Sequence, residues 1–282
     1  MKYKKVRRGG KSVTGIQLKV ISTNSQGDKF DSLVSLVKNI GASVFMVQET
    51  RSRKKGKYSS QYYVIFESIR QKVGGGSLMG VHKSFNPKLI NVYDQENFEL
   101  IIVEAKVANK EMRFITGYGP QENWSEEEKL QFFVSLDQEI SRAQLSNKSV
   151  FIAFDANSKM GQEYIPNDPH NMSPNGHIMA EIIEKNALCV VNGMEGKCSG
   201  VITRVRSTDD GNIEKSAIGL VIVRSNMVEY IVSLQIDEAR KNVLTKVTKN
   251  KKGDVKIQES DHNILETSLN IKVKKMCEYK KE

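Results

Sequence analysis

The chain repeats one pattern, in which a short apolar run rich in β-forming residues meets a polar residue at its end. Five strand ends carry such residues: Asn24, Glu49, Tyr118, the pair Asp155 and Asn157, and the pair Asp261 and His262, which opens the last strand. Strand ends beside loops are where a rigid sheet presents side chains to a site. The pattern therefore predicts a sheet-based protein with a polar site at one edge.

The spacing of the apolar residues predicts a mixture of strands and helices. Strands are expected at 18–22, 43–48, 62–66, 78–81, 100–107, 113–117 and 149–154, and near residues 189, 202, 220, 231, 244 and 264. Helices are expected at 30–40, 126–145 and 178–185, the second opening on a capping box of Ser125 and Glu128. Without an internal repeat or linker, this predicts one α/β domain of two packed sheets at 16–272, between basic tails at 1–15 and 273–282.

The charge of the chain limits the classes of molecule that it is expected to bind. The 282 residues hold 43 Lys and Arg against 33 Asp and Glu, a formal net charge of +10. This balance favours polyanions through counterion release, so nucleic acid is expected first and an anionic membrane surface second. The basic tails either contact nucleic acid or keep the chain in solution.

Other features bound the class of protein. The three cysteines lack metal-ligand spacing, so neither a disulfide framework nor a zinc site is expected. No apolar window reaches the length of a membrane span, and no apolar segment follows the basic N-terminus. We expect a monomer with no membrane association, located in the nucleus or cytoplasm.

The residue types at the strand ends suit acid–base and metal-assisted chemistry. Asp155 and Asn157 lie two residues apart, so an extended segment directs both to one side. The carboxylate of Glu49 is the kind of hard oxygen ligand that Mg²⁺ prefers. His262 stands beside Asp261 and could transfer a proton. Taken singly, Asp155 and Asn157 are better explained as turn residues and a lone histidine as structural, while Glu49 alone is ambiguous.

Two other features are expected to be structural. Gly74–Gly76 is not followed by the Lys-Ser/Thr of a phosphate-binding loop, so it is predicted to be a turn that enters a strand. The remaining histidines have no acid beside them at a strand end, and we expect them to lie outside the site: His82, His170 and His177.

Taken in order, five segments resemble the endonuclease/exonuclease/phosphatase family. They are KVISTN (19–24), VFMVQET (44–50), TGYGP (116–120), FDAN (154–157) and SDHN (260–263). Within that family, FDANSKMG and VITRVR look most like the abasic-endonuclease-like domains of animal non-LTR retroelements. The resemblance implies a DNase I-like, four-layer α/β sandwich of two mixed sheets flanked by helices. It also implies a Mg²⁺-dependent DNA endonuclease, in which Mn²⁺ could replace Mg²⁺, joined to a reverse transcriptase in the parent protein.

The same resemblance implies a role for each strand-end residue. Three would bind the metal or lie close to it: Glu49, Asn24 and Asp261. Asp155 would orient or deprotonate the attacking water, while Asn157 and Tyr118 would position the phosphate. His262 would stabilise the charge that develops on the phosphoryl oxygens.

The chain departs from the family pattern at one position that matters. Where the pattern has Ser-x-Ile-Asp, with an Asp that pairs with the catalytic histidine, this chain has Ser216-Ala-Ile-Gly219. Glycine weakens a strand, so local propensity does not explain Gly219. In catalytic triads the loss of such an acid costs on the order of 10⁴ in turnover, and we expect a comparable defect. Three nearby acids would have to swing from a loop into a strand position, and we do not expect them to substitute: Asp209, Asp210 and Glu214.

Two smaller departures keep hydrogen-bonding amides, at Gln26 and Gln121. Two other functions stay open at this point. One is a catalytically degenerate domain that only binds nucleic acid, and the other is a phosphatase for phosphoinositides or sphingolipids. The retroelement-like segments argue against the lipid substrate.

Overall fold

Two β-sheets and two β-hairpins form the framework of the protein. The computed structural model describes residues 15–27, 29–52, 54, 56–69, 75–94, 98–249 and 254–272; both predicted tails lie outside them, apart from Gly15. The strands are β1 (Gly15–Asn24), β2 (Val44–Gln48), β3 (Tyr63–Ser68), β4 (Ser77–His82), β5 (Lys88–Asp94), β6 (Glu99–Val107), β7 (Lys110–Tyr118), β8 (Ser149–Asp155), β9 (Leu188–Val190), β10 (Cys198–Ser199), β11 (Arg204–Ser207), β12 (Ile213–Ser216), β13 (Gly219–Arg224), β14 (Ile231–Ile236), β15 (Thr245–Lys249), β16 (Val255–Glu259) and β17 (Leu265–Lys272).

The helices contain fewer residues than the strands and lie between them in the sequence. They are α1 (Phe30–Ile40), α2 (Glu126–Leu145), α3 (Gly161–Tyr164) and α4 (Pro174–Lys185), with 3₁₀ turns at Lys83–Phe85 and Ser225–Tyr230. The predicted capping box of α2 is present, since the Ser125 side chain accepts from the backbone N–H of Glu128 and the Glu128 side chain accepts from that of Ser125. None of the helices in the described part of the chain has the length and apolar character that crossing a bilayer requires.

Both large sheets are mixed, as predicted. The first has seven strands in the order β10-β14-β17-β1-β2-β4-β3, and the second has six in the order β5-β6-β7-β8-β13-β9. The β1–β2 and β7–β8 pairs are parallel, whereas their other neighbours run antiparallel. Two hairpins, β11–β12 and β15–β16, stand apart from the sheets.

Three apolar cores hold four layers together. The first lies between the sheets and includes Leu18, Met46, Phe114 and Phe151. The second packs α2 and α4 on the outer face of the six-stranded sheet, and the third packs α1 on the outer face of the seven-stranded sheet. Burial of each large side chain contributes roughly 1.5–3 kcal/mol relative to exposure. The predicted sandwich of two mixed sheets flanked by helices is therefore confirmed.

Some element boundaries differ from the sequence-based expectation. Helix α4 begins at Pro174 rather than at 178, because Ser173 caps the backbone N–H of Gly176 and proline fits the first turn of a helix. The strand expected near 202 begins at Arg204. The structure also contains strands that were not predicted: β5, β10, β12 and β16. Most of their residues are exposed or half-buried, so they lack the apolar runs that identify a buried strand.

Candidate active site

Parallel strand pairs bring the polar strand ends to one edge of the molecule. Asn24 ends β1 and pairs with Gln48 at the end of β2, while Tyr118 ends β7 and pairs with Asp155 at the end of β8. Since the carboxyl ends of parallel strands meet at one edge, each sheet contributes one pair. Between them lies a cleft of about 290 Å³ lined by Asn24, Gln26, Glu49, Arg51, Tyr118, Gln121, Asp155, Asn157, Arg204, Arg206, Asp261 and His262. All seven predicted site residues therefore share one cleft.

Asp155 links the two sheets at the base of the cleft. Its side chain is almost fully buried, and its Oδ2 accepts a 2.7 Å hydrogen bond from Asn24 Nδ2. His262 Nε2 lies 3.7 Å from the same oxygen. Burial raises the pKa of Asp155, while His262 and the Asn24 hydrogen bond lower it. A carboxylate made more basic by burial suits proton abstraction better than an exposed one.

Glu49 lies on a strained backbone that its neighbours hold in place. Glu49 and Arg51 both have positive φ, at 53° and 52°, a conformation that costs a non-glycine residue on the order of 1–3 kcal/mol. The Thr50 N–H donates to the Gly76 carbonyl at 2.8 Å, and the Arg51 N–H donates to the Gly75 carbonyl at 2.7 Å. The Gly76 N–H in turn donates to Glu99 Oε1 at 2.8 Å. The predicted turn at these glycines thus leads into β4 and fixes the Glu49 segment.

Asp261 has one paired oxygen and one unpaired oxygen. Arg204 Nε donates to Oδ2 at 3.1 Å, whereas Oδ1 is buried and has no hydrogen bond within the described part of the chain. His262 Nε2 is 3.4 Å from this Oδ1. Gln26 ties the segment to β1, because its Oε1 accepts from the Asp261 N–H at 3.0 Å and its own N–H donates to Asn24 Oδ1 at 2.9 Å.

The oxygen atoms of these side chains fit a divalent cation that keeps most of its water. Two carboxylates and an amide oxygen are hard ligands of the type Mg²⁺ accepts, and the buried Oδ1 of Asp261 has no hydrogen bond among the described residues, with His262 Nε2 3.4 Å away. Across the described residues, no three Asp, Glu, His or Cys side chains form a group that could hold a metal ion. A cation here would therefore depend on Glu49, Asp261, Asn24 and bound water together.

Tyr118 and Asn157 form the opposite wall. The Tyr118 hydroxyl accepts from Gln121 Nε2 at 2.9 Å, and Asn157 Nδ2 donates to the Gly119 carbonyl at 2.9 Å. Burial, followed by the charges of Asp155 and Glu49, raises the pKa of Tyr118 to about 12. The hydroxyl therefore keeps its proton at neutral pH and can donate it to a phosphate oxygen.

The structure shows what surrounds Gly219, the position at which the family resemblance leads us to expect an acid. Gly219 lies directly opposite Asp155 in the β8–β13 pair, so a side chain there would project on the face that carries Asp155. Thr203 Oγ1 takes this space and accepts from the Ile218 and Gly219 N–H groups at 2.9 and 2.8 Å. Within the described residues, the polar contacts of the His262 ring are those of Nε2 with two carboxylates.

The nearby acids do not replace the carboxylate expected at position 219. Asp209, Asp210 and Glu214 are exposed on the β11–β12 hairpin. Asp210 instead accepts from Asn212, and from the Thr208 hydroxyl, within the turn. The other histidines also lie away from the cleft lining, as expected: His82, His170 and His177.

Three arginines of the cleft were missed by sequence reasoning. Arg51 donates to Glu49 Oε1, and Arg204 and Arg206 project from alternate positions of β11. Residues two apart on a strand face the same side, so the Arg-Val-Arg of VITRVR was the available signal. These guanidinium groups place hydrogen-bond donors suited to phosphate beside the carboxylates of the cleft.

Comparisons with solved structures agree with this architecture. The endonuclease domain of TRAS1, a telomere-specific non-LTR retrotransposon, matches with a TM-score of 0.61 and 17% identity over 92% of this chain and 100% of that chain. AP endonuclease LMAP from Leishmania major matches with a TM-score of 0.69 and 10% identity, over 90% and 88% of the two chains. An endonuclease/exonuclease/phosphatase family protein from Bacteroides thetaiotaomicron gives 0.62 and 12%, over 93% and 100%.

Sequence comparisons add nothing to these structural matches, since no protein-family model and no curated protein matches the chain. The structural matches cover nearly all of this chain, and their identities of 10–17% support a shared fold. The two mixed sheets, the helices that flank them and the cleft at the strand ends give this chain the DNase I-like fold of the endonuclease/exonuclease/phosphatase superfamily.

Proposed function

We propose that the chain is a Mg²⁺-dependent phosphodiesterase of this superfamily that hydrolyses the DNA backbone. The observation that supports this most strongly is the convergence of seven residues from five separate segments in one cleft. Carboxylates, a tyrosine, two amides and a histidine are the groups that hydrolysis of a phosphodiester needs.

In this proposal each side chain acts where the structure holds it. Asp155 accepts a proton from water as the water oxygen bonds to phosphorus and the ester oxygen leaves. His262 and Tyr118 donate hydrogen bonds to the phosphoryl oxygens, and Asn157 orients them. Mg²⁺, or Mn²⁺, would be held by Glu49, Asp261 and Asn24 and would neutralise phosphate charge.

DNA is the proposed substrate because arginines line the cleft and the chain as a whole is cationic. Arg51, Arg204 and Arg206 line the cleft, and the net charge is +10. The TRAS1 domain comes from a retrotransposon, and together with the retroelement-like segments this supports nicking of target DNA during retrotransposition. A reverse transcriptase in the parent protein is part of the same proposal.

Turnover is proposed to be slow because Gly219 leaves His262 without its acid. A second function rests on the same observation: a domain that retains the arginine-lined cleft and binds nucleic acid without cutting it. Binding requires the arginines and the amides, whereas cleavage also requires an oriented imidazole.

Nicking of supercoiled plasmid with Mg²⁺ distinguishes these functions. The unmodified chain, Gly219→Asp and His262→Ala are compared, each with and without a chelator. The enzyme predicts slow metal-dependent nicking, faster nicking by Gly219→Asp and none by His262→Ala. If neither the unmodified chain nor Gly219→Asp nicks while both bind DNA at low salt, the binding domain is the correct function.

A further inference from the structure

A second concave surface lies outside the cleft, between the beginning of α1 and the β15–β16 hairpin. It is a groove of about 700 Å³, larger than the cleft. Three lysines and three apolar side chains line its walls: Lys29, Lys57, Lys246, Phe30, Tyr58 and Val247. This combination of cationic and apolar groups is not explained by the chemistry of the cleft.

The charge of the groove selects a polyanion. Asp31 is the one acidic residue among those lining it. Lys246 makes no ion pair with any residue that the structure describes. In the sequence, positions 245–259 hold five lysines against Asp254 and Glu259, and Lys246 and Lys256 lie on the described strands β15 and β16. Lysines grouped in this way attract phosphate groups and release their counterions.

The apolar groups add contacts that a phosphate alone would not use. The Phe30 and Tyr58 rings are stacked, with centroids 4.5 Å apart. On the hairpin, Val247 and Ile257 form a cross-strand pair and are 60% and 62% exposed. Tyr58 is buried and Phe30 is half-buried, so Phe30 is the ring of this pair that a base could contact. An aromatic ring beside lysines is the arrangement that stacks bases of a single strand while the backbone is bound electrostatically, and Val247 adds an apolar contact.

The segments that line the groove adjoin segments that line the cleft. Lys29 Nζ donates to the carbonyl of Gln26 at 3.2 Å, and Gln26 lines the cleft. The hairpin ends at Glu259, two residues before Asp261. Its base is anchored, because the Ser260 N–H donates to the Leu244 carbonyl at 3.0 Å. A strand that leaves the cleft past Gln26 would therefore have the groove close to its path.

We propose that this groove binds a single-stranded segment of the nucleic acid whose phosphodiester occupies the cleft. The inference rests on the proposed function, because it assigns the same substrate a second contact region. Lys57 and Lys246 bind the phosphates, and the bases pack against Phe30 and Val247.

The test measures binding by fluorescence anisotropy in a chelator, which prevents metal-dependent cleavage. Labelled single strands of about 4 and about 20 nucleotides are compared, since single-strand sites of this kind span roughly 4–16 nucleotides. The variant is Lys246→Glu with Lys57→Glu. The matched control is Lys106→Glu, an exposed lysine of β6 near the end opposite the cleft.

We expect the double variant to bind the long strand about tenfold more weakly and the short strand normally, whereas Lys106→Glu binds both normally. The dependence of affinity on salt should fall by about 0.7 per lost phosphate contact. Equal affinity of the double variant and Lys106→Glu for the long strand would overturn the groove assignment alone. Absence of DNA binding by every variant, the unmodified chain included, would overturn both this assignment and the proposed function.

Discussion

The two sides of the cleft are built differently. On the Glu49 side, a chain of hydrogen bonds from Glu99 through Gly76 fixes a strained backbone, and Gln26 joins Asn24 to Asp261. On the His262 side, the imidazole lies near two carboxylates through Nε2, and the position facing Asp155 holds Gly219, which has no side chain.

Under the proposed function, this difference assigns binding and turnover to separate parts of the site. In that proposal, the Glu49 side holds a cation and phosphate without an oriented imidazole. The His262 side matters when charge develops in the transition state, so it is the side on which an acid can be lost while the fold and the rest of the cleft persist.

Restoring the acid should have the largest effect. Gly219→Asp would present a carboxylate from the position opposite Asp155, and we expect nicking about 10³- to 10⁴-fold faster than by the unmodified chain. The matched variant is Gly219→Asn, which has nearly the same volume but no charge. Its nicking rate in the plasmid assay should stay near that of the unmodified chain.

Space at this position is limited, so the stability of both variants is measured as well. A Cβ on Gly219 would lie 3.3 Å from Thr203 Cβ, which requires a shift of a few tenths of an ångström. Asp and Asn share that cost. A faster rate for Asp alone would therefore reflect the carboxylate, whereas equal rates would show that the missing acid does not limit turnover.

Disrupting the Glu49 side of the cleft should mainly reduce the stability of the protein. Gly76 has a φ of +82°, and a Cβ there would lie 2.6 Å from Thr50 Oγ1. We expect Gly76→Ala to lower the free energy of unfolding by about 3 kcal/mol, since backbone strain and a steric clash add. Gly41→Ala is the control, because φ is +68° but no atom lies within 4 Å; it should cost about 1 kcal/mol. Equal losses in urea unfolding would mean that the Gly76 contact does not brace the Glu49 segment.

Much of this fold was predictable from sequence because the buried strands are apolar and end on polar residues. Strands β1, β2, β7 and β8 were all identified in this way. In contrast, β12 and β16 belong to exposed hairpins, where one or both faces contact water and the apolar pattern disappears. Such strands are stabilised by pairing with a neighbour, which single-sequence periodicity does not reveal.

The residues of the candidate site could be predicted from sequence to lie together, but their contacts could not. Positions such as Asn24 and Asp155 followed from strand ends and from the family resemblance. The pairing of Arg204 with Asp261 and the role of Glu99 join residues that are distant in sequence. Gln26 was expected to be a minor departure from the family pattern, although its amide connects β1 to the Asp261 segment. Such contacts depend on how the two sheets are stacked.

Arg204 allows a test of whether the Asp261 carboxylate serves both sides of the cleft. Arg204→Gln removes the positive charge beside Asp261 and keeps a hydrogen-bonding group. A metal cation then no longer competes with the guanidinium for the Asp261 carboxylate. We expect Mn²⁺ to bind about tenfold more tightly, equivalent to about 1.4 kcal/mol, and DNA to bind more weakly. Calorimetry measures the first and anisotropy the second. Arg206→Gln, which has no carboxylate contact among the described residues, should weaken DNA binding without changing Mn²⁺ affinity.

The smallest expected effect concerns Tyr118, whose pKa reflects both sides because Asp155 and Glu49 raise it together with burial. The folded pKa is about 12 and the ordinary value is 10.0, so unfolding releases the phenolic proton more readily above pH 10. The stabilisation is complete below that pH and is lost as pH rises toward 12, which amounts to about 1.3 kcal/mol between pH 9 and pH 11. Tyr118→Phe should remove this part of the alkaline loss in urea unfolding, whereas Tyr62→Phe, at an exposed tyrosine, should keep it. If the unmodified chain and Tyr118→Phe lose stability in parallel, neither burial nor the carboxylates of the cleft raise the pKa of the Tyr118 hydroxyl.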